Sequence, residues 1–354
     1  MKPSLPTADL KDLPALIQHE LHHPLDNLQG VIRLLGTGRF GQLSREGSQL
    51  LNTAMVNLDR LTRLAVAVEE QPTALRSVFS EEQIRLFQLK RDLPDAIAQK
   101  QIYLVYQPIV CTQTQTVVGF EALARWEHPT YGTISPTVFI PLAEESGLIH
   151  DMGKNLIEAA CFQLRRWQRR LTGHQGLTMS VNLSALQLSQ LDLADHIGRV
   201  LAATQIAPES LKLEITESTL IENSDVVGIV LQKLVDLGVQ LYLDDFGTGY
   251  SSLSRLPSLP LDALKIDRSF VTNKNWAICE VILALSQKLG LNVIVEGIET
   301  AEEAVILKGI GFQYMQGYFF AHPLTVEAAS ALLIRPFSYA IPVQFPIPHA
   351  MPLA

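Results

Sequence analysis

The chain has 354 residues, 47% of them apolar, with 28 Lys and Arg against 36 Asp and Glu and a formal charge of -8. That length holds one large domain of up to about 250 residues and a smaller module, and the acidic balance argues against DNA, RNA or an anionic membrane as the partner of the whole chain. Cys111, Cys161 and Cys279 have no paired spacing and no apolar run approaches about 18 residues, so a cytoplasmic protein with buried thiols, no zinc site, no disulfide and no membrane segment is expected.

Residues 12 to 36 and 44 to 70 repeat apolar side chains at helical spacing, as in Leu50, Leu51, Ala54, Leu58, Leu61 and Leu64, around the glycine-bearing "GTGRFGQLS". The pattern predicts a helical hairpin. "EEQPTALRSV" reads as a linker, and "SEEQIRLFQLKRDLPDAIAQKQ" as a third helix leading into the next module. This gives a hairpin module over residues 1 to 75, a second domain over 76 to 335 and a separate segment over 336 to 354.

From residue 103 the pattern becomes short apolar runs alternating with helical segments: "YLVYQPIV", "VVGFEALARW", "LTMSVNLS", "LKLEITE", "VQLYLDDF", "ALKIDRSF", "LNVIVEGIE" and "YMQGYFFA". Eight strands, most followed by a helix, predict an α/β fold of the (β/α)8 barrel class over about 230 residues. An open doubly wound sheet would want fewer strands and a glycine-rich phosphate loop, which is missing. The last stretch, "RPFSYAIPVQFPIPHAMPLA", has five prolines among aromatic and aliphatic residues. It is denied helix and central-strand roles, yet is apolar enough to pack on the barrel or on a partner.

Barrel active sites assemble at the C-terminal ends of the strands. Those ends carry Glu121, Asn182, Glu214 with Glu217, Asp244 with Asp245, Lys265, and Glu296 with Glu299. A single acid there is an ordinary cap or ion-pair partner. Acids and an asparagine interrupting runs as apolar as "LKLEITE" are costly to bury unless paired or bound to metal. Oxygen ligands without clustered Cys or His suit Mg²⁺ or Mn²⁺, and adjacent aspartates suit a two-metal phosphoryl displacement. Gly247 and Gly249 let the chain turn away from that site.

These motifs, "YQPIV", "EALARWEHPTYGTISPTVFIPLAEESGLI", "VNLS", "LEITES", "DDFGTGYSSLSRL", "LKIDRSFV", "VEGIET" and "QGYFFAHPL", resemble in order those of the EAL domain, the bacterial cyclic di-GMP phosphodiesterase family, over roughly residues 84 to 335. The resemblance implies a modified TIM barrel with one antiparallel strand. It implies that Glu121, Asn182, Glu214 and Asp244 hold a first metal, and that Asp244, Asp245 and Glu296 hold a second. By the same resemblance Lys265 positions the attacking water, with Lys265, Glu296 and Asp245 forming the catalytic group. Arg125 contacts a substrate phosphate, Gln107 and Gln316 contact the nucleotide, and Glu217 anchors the loop after "DDFG". The implied reaction opens cyclic di-GMP to linear pGpG with Mg²⁺ or Mn²⁺, two per site. The stretch between Val271 and Cys279 is shorter than the family pattern, which puts any dimer contact made there in question.

"HELHHPL", from His19 to Leu25, with the second helix, is similar to the phosphoacceptor and dimerisation helices of histidine kinases. His22 and His23 depart from that pattern, and no ATP-binding domain follows. His19 is therefore either a solvated helical residue in a four-helix dimer bundle or a phosphoacceptor served in trans by a separate histidine kinase. Either way the apolar stripe of the hairpin predicts a homodimer. Two functions compete for the barrel: hydrolysis of cyclic di-GMP, favoured because every matched position is filled, and a catalytically silent cyclic di-GMP receptor. No "GGDEF" segment is present.

Overall fold

The computed structural model describes residues 22–36, 45–70, 81–171, 173–217, 219, 225–247 and 256–334. Two compact units divide the chain, Met1–Asp95 and Ala96–Ala354. In the first, α1 (His23–Gly36) and α2 (Arg45–Glu70) pack against each other, as the hairpin pattern predicts. Leu28, Val31 and Leu35 on α1 and Leu50 and Val56 on α2 are nonetheless exposed. The helix α3 (Glu81–Ala98) spans the division with Pro94 inside it. His19, the linker around residues 71–80, Gly249 and the proline-rich segment lie outside the described residues. No described helix is long and apolar enough to cross a membrane.

The second unit is built on nine strands: β1 (Ile102–Cys111), β2 (Thr116–His128), β3 (Gly132–Ile134), β4 (Thr178–Leu183), β5 (Leu211–Thr216), β6 (Gln240–Phe246), β7 (Ala263–Ile266), β8 (Asn292–Val295) and β9 (Tyr314–Gln316). Their order is β1-β9-β8-β7-β6-β5-β4-β2-β3, and pairing of β1 with β2 closes an eight-strand ring. β1 runs antiparallel to both neighbours, while β2, β4 and the strands up to β9 are parallel in sequence. β3 is an extra strand folded back on β2 outside the ring. Three residues are too few to show a period of two, so the sequence pattern did not reveal it.

Helices α4 (Pro136–Glu145), α5 (Ile149–Arg170), α6 (Ala185–Leu188), α7 (Leu193–Thr204), α8 (Asp225–Asp236), α9 (Arg268–Thr272), α10 (Trp276–Leu289), α11 (Ala301–Ile310) and α12 (Val326–Ile334) follow in turn. Local chemistry sets their ends. Ser135 Oγ accepts from Thr137 N beside Pro136 at the first turn of α4, and Thr300 and Glu303 form a reciprocal capping box on α11. Gly290 and Gly311 take the left-handed conformation that ends α10 and α11.

Alternation along the strands sorts side chains into two compartments. Leu213, Ile215, Leu241, Leu243, Leu264, Ile266, Val293 and Val295 join the main core with the helices. Tyr242, Ala263 and Ile294, with Ile109, form a separate cluster. Advancing two residues from that cluster along β6, β7 and β8 reaches Asp244, Lys265 and Glu296, so the apolar layer is a floor one step below the charged one.

Three expectations are corrected. The strand predicted through "KIDRSF" stops at Ile266, because Asp267 caps α9 by accepting from Ser269 N at 3.0 Å. The runs "LNVIVEGIE" and "YMQGYFFA" stop at Val295 and Gln316, where Gly297 and Gly317 admit close backbone approach. Cys161 and Cys279 are buried as expected, but Cys111 is partly exposed because it closes β1 at the turn to β2.

Candidate active site

Lys265 is the hub. Its side chain is 1% exposed, and Nζ lies 2.5 Å from Glu296 Oε1, 2.6 Å from Glu214 Oε2, and 3.4 Å from both Glu121 Oε2 and Asp244 Oδ1. The four acids come from β2, β5, β6 and the end of β8, so only closure of the ring gathers them. A burial-selected lysine among four carboxylates leaves a formal surplus of three negative charges.

Neutral side chains complete the layer. Asn182 Nδ2 donates to Glu121 Oε1 at 2.7 Å, and Gln316 Nε2 donates to Glu121 Oε2 at 2.6 Å and to Gln107 Oε1 at 3.2 Å. Register explains the contacts: Gln107 stands opposite Glu121, and Asn182 pairs with Glu214. Gln107 Nε2 also donates to Ala321 O at 3.4 Å, tying the loop after β9 to the site. The carboxylate oxygens of this group therefore have uneven support. Glu214 Oε1 and Gln316 Oε1 are buried and make no hydrogen bond among the described residues.

The electrostatics follow from that crowding. Burial, joined by the charges of Glu121, Asp244 and Glu296, pushes Glu214 well above the usual carboxylate range against the pull of Lys265. Burial likewise drives Glu296 up to about 8, helped by Asp244 and Glu121. Glu121 goes the other way: burial raises it, but Lys265 and the amides of Gln316 and Asn182 outweigh burial and hold it low. Lys265 is held well above its ordinary value, since the four acids more than offset its desolvation.

Not every sequence candidate reaches the hub. Asp245 is exposed, with a left-handed backbone (φ 55°), inside a register shift between β6 and β7. Its N–H donates to Asp244 Oδ1 at 3.0 Å, and partial burial with the charges of Asp244 and Asp267 raises its carboxyl. Arg125 shares a strand face with Glu121 and stands four residues on, about 13 Å toward the rim, where Nη1 donates to Ala124 O. Glu217 follows the end of β5, but the loop assigned to it begins at residue 248, outside the described residues.

Sequence reading missed two groups. Lys212, two residues before Glu214 on the same strand face, places Nζ 4.8 Å from the centre of the Tyr242 ring, and burial lowers its pKa to about 8. Its signal was the alternation in "LKLEIT", which puts any charge two steps from Glu214 inside the barrel. Asp267 is the other, an acid directly beyond β7 that adds its charge beside Asp245.

The donor set fits hard divalent cations. It offers oxygen from Glu121, Asn182, Glu214, Asp244 and Glu296, lacks Cys and His, carries surplus negative charge, and includes a buried carboxylate oxygen with no hydrogen bond. Among the described residues no group of three or more His, Cys, Asp or Glu side chains stands in ligating geometry.

Residues 90–323 match the family profile described as "EAL domain". The chain belongs to the EAL-domain family. Within that family it is 40% identical over 245 residues to the bifunctional diguanylate cyclase/cyclic di-GMP phosphodiesterase MucR of Pseudomonas aeruginosa, covering 68% of this chain and 36% of MucR. It is 40% identical over 251 residues to the cyclic di-GMP phosphodiesterase NbdA of the same organism, covering 70% of this chain and 32% of NbdA. The chain thus spans about a third of the length of these curated relatives. A solved structure described as the PaMucR phosphodiesterase in complex with c-di-GMP superposes with a TM-score of 0.65 at 40% identity, covering 68% of this chain and 99% of that one. The EAL fold, a closed barrel with one antiparallel strand and one extra strand, is the fold described above.

Proposed function

We propose that this EAL-domain chain hydrolyses one phosphodiester of cyclic di-GMP and releases linear pGpG. The observation that carries the reading is the convergence of four carboxylates from four strands on Lys265, with Asn182, Gln107 and Gln316 in the same layer. The kinship with MucR and NbdA supplies the substrate class.

Glu121, Asn182, Glu214 and Asp244 would hold one divalent cation, and Asp244, Asp245 and Glu296 a second, either Mg²⁺ or Mn²⁺. When bound, such ions polarise a phosphoryl group and lower the pKa of water. The chain's own groups do the rest. Lys265 orients the water, which gives up a proton to solvent as its oxygen forms the new P–O bond; the bond to the 3′ oxygen breaks, and that oxygen takes up a proton. Glu296 stands against Lys265 Nζ, and Asp245 completes the catalytic group of this reading from the exposed turn at the end of β6. Gln107 and Gln316 hold the nucleotide, Arg125 meets a phosphate at the rim, and Glu217 anchors the loop after Asp245.

The second reading is a catalytically silent cyclic di-GMP receptor, which would hold the nucleotide at the same layer without cleaving it. Chromatography of guanine nucleotides after incubation with cyclic di-GMP and Mg²⁺ or Mn²⁺, beside Glu121→Ala, separates the two. Linear product from the parent and none from the variant supports hydrolysis; retained nucleotide without product supports the receptor.

The three modules, residues 1–75, 76–335 and 336–354, carry separate roles in this reading, and the protein acts in the cytoplasm. The first pairs with a second copy to make a homodimer, supported by the exposed Leu28, Val31, Leu35 and Val56 of α1 and α2. His19 serves either as a solvated bundle residue or as a phosphoacceptor for a separate histidine kinase. Incubation with such a kinase and labelled ATP, beside His19→Ala, distinguishes these roles.

A further inference from the structure

Apart from the acid layer, the second unit carries a groove of about 880 Å³ whose walls include Tyr103 and Tyr106 of β1, Leu156 and Phe162 of α5, and Thr325 and Val326 at the start of α12. Tyr103 and Phe162 are 42% and 45% exposed. Half-exposed aromatic rings on two different elements, flanking one depression, need an apolar occupant to leave water.

The chain supplies one with matching chemistry. Residues 336–354 contain no Asp, Glu, Lys or Arg, but hold five prolines, Phe337, Tyr339 and Phe345. Proline-rich stretches favour the polyproline II helix, lose little entropy on docking, and are recognised by grooves lined with aromatic rings. The groove's size lies within the roughly 300–1,000 Å³ of sites that enclose a small ligand, enough for a turn or two of such a helix.

Reach is also satisfied. The segment follows α12, whose first turn lines the groove and whose nine residues carry the chain about 13 Å away from it. Nineteen residues in polyproline II form span about 59 Å, so the chain can double back with length to spare. Covalent attachment places the segment at an effective concentration near millimolar, an advantage that a second copy lacks.

We propose that residues 336–354 fold back along α12 and seat their proline and aromatic side chains in the groove between β1 and α5. The site is next to the catalytic layer without being part of it. Tyr106 precedes Gln107 on β1, and Tyr106 exchanges two backbone hydrogen bonds of 2.8 Å with Leu324, which precedes Thr325 in the groove wall.

The test uses the full chain with a photoreactive benzophenone amino acid in place of Phe162, irradiated as an equal mixture of isotope-labelled and unlabelled protein. Cross-links from position 162 to residues 336–354 within chains of one label are the expected result. Cross-links of mixed label, cross-links to residues 1–95, or none to 336–354 overturn the proposal. In parallel, Phe162→Glu should speed chymotryptic cleavage after Phe337 and Tyr339 about tenfold, as release of a docked segment requires. Ile229→Glu on α8, exposed and outside the groove, should leave that rate unchanged; equal cleavage in all three proteins also overturns the proposal.

Discussion

Lys265 Nζ and Glu214 Oε2 stand 2.6 Å apart with neither side chain more than 1% exposed. Replacing the lysine by methionine leaves four carboxylates facing one another with no cation. Breaking a buried pair in this way costs about 3–5 kcal/mol. Lys265→Met should therefore melt well below the parent in EDTA and recover part of the loss in Mg²⁺. Turnover of cyclic di-GMP should fall about 10²–10³-fold, the range for loss of a hydrogen-bond donor fixed at the reacting centre. A variant hydrolysing at the parent rate would remove Lys265 from the reaction.

The surplus of negative charge around Lys265 predicts that divalent cations stabilise the folded chain. A cation at 100 times its dissociation constant adds about 2.7 kcal/mol. Thermal unfolding with Mg²⁺ or Mn²⁺ should shift upward relative to EDTA, and Glu214→Gln should lose most of that shift. A shift of equal size in the variant would place cation binding elsewhere.

Gln316 bridges Glu121 and Gln107, donating to them at 2.6 and 3.2 Å. A hydrogen bond to a charged group contributes about 1.5–3 kcal/mol, so Gln316→Ala should weaken nucleotide binding tenfold or more. The expected signature is a raised KM with a smaller fall in kcat. An unchanged KM would mean that Gln316 only supports Glu121.

A Cβ at Gly317 would lie 2.1 Å from Ile298 O and 2.3 Å from Ile298 N, both backbone atoms that cannot rotate aside. Gly317→Ala should destabilise by roughly 2–3 kcal/mol or more through forced displacement beside Gln316. Gly228 on α8 has nothing within 4 Å of its would-be Cβ, and Gly228→Ala should stabilise by about 0.5–1 kcal/mol. Denaturant titrations of both variants check the contrast.

Exposed leucine and valine on α1 and α2 predict association through the hairpin. Sedimentation of the full chain should give a dimer, and of the chain lacking residues 12 to 70 a monomer. A dimer in both cases would move the interface to the barrel.

Much of this architecture is legible in the sequence because each barrel strand is short, apolar and interrupted at its end by a charge. "LKLEITE" and "VQLYLDDF" announce both the strand and its functional terminus, since a carboxylate in such surroundings must have a partner. Helix boundaries at Gly290 and Gly311 and the capping box at Thr300 are local signals of the same kind. The reading fails where local cues conflict or are too short. β3 has three residues, and "KIDRSF" continues an apolar run past the point where Asp267 starts a helix.

The sequence by itself determined the fold class and the chemical type of the candidate site, because alternation and apolar runs are properties of neighbouring residues. Tertiary structure alone decided that Lys265, rather than any acid, occupies the centre, that Lys212 lies beneath it, and that Asp245 turns outward. Those outcomes depend on ring closure, which brings Glu121 within 3.4 Å of a lysine 144 residues later, and on a shift of register at Asp244 and Asp245. Distances between strands and the competition of several carboxylates for one ammonium are set by three-dimensional packing, and no local pattern along the chain encodes them.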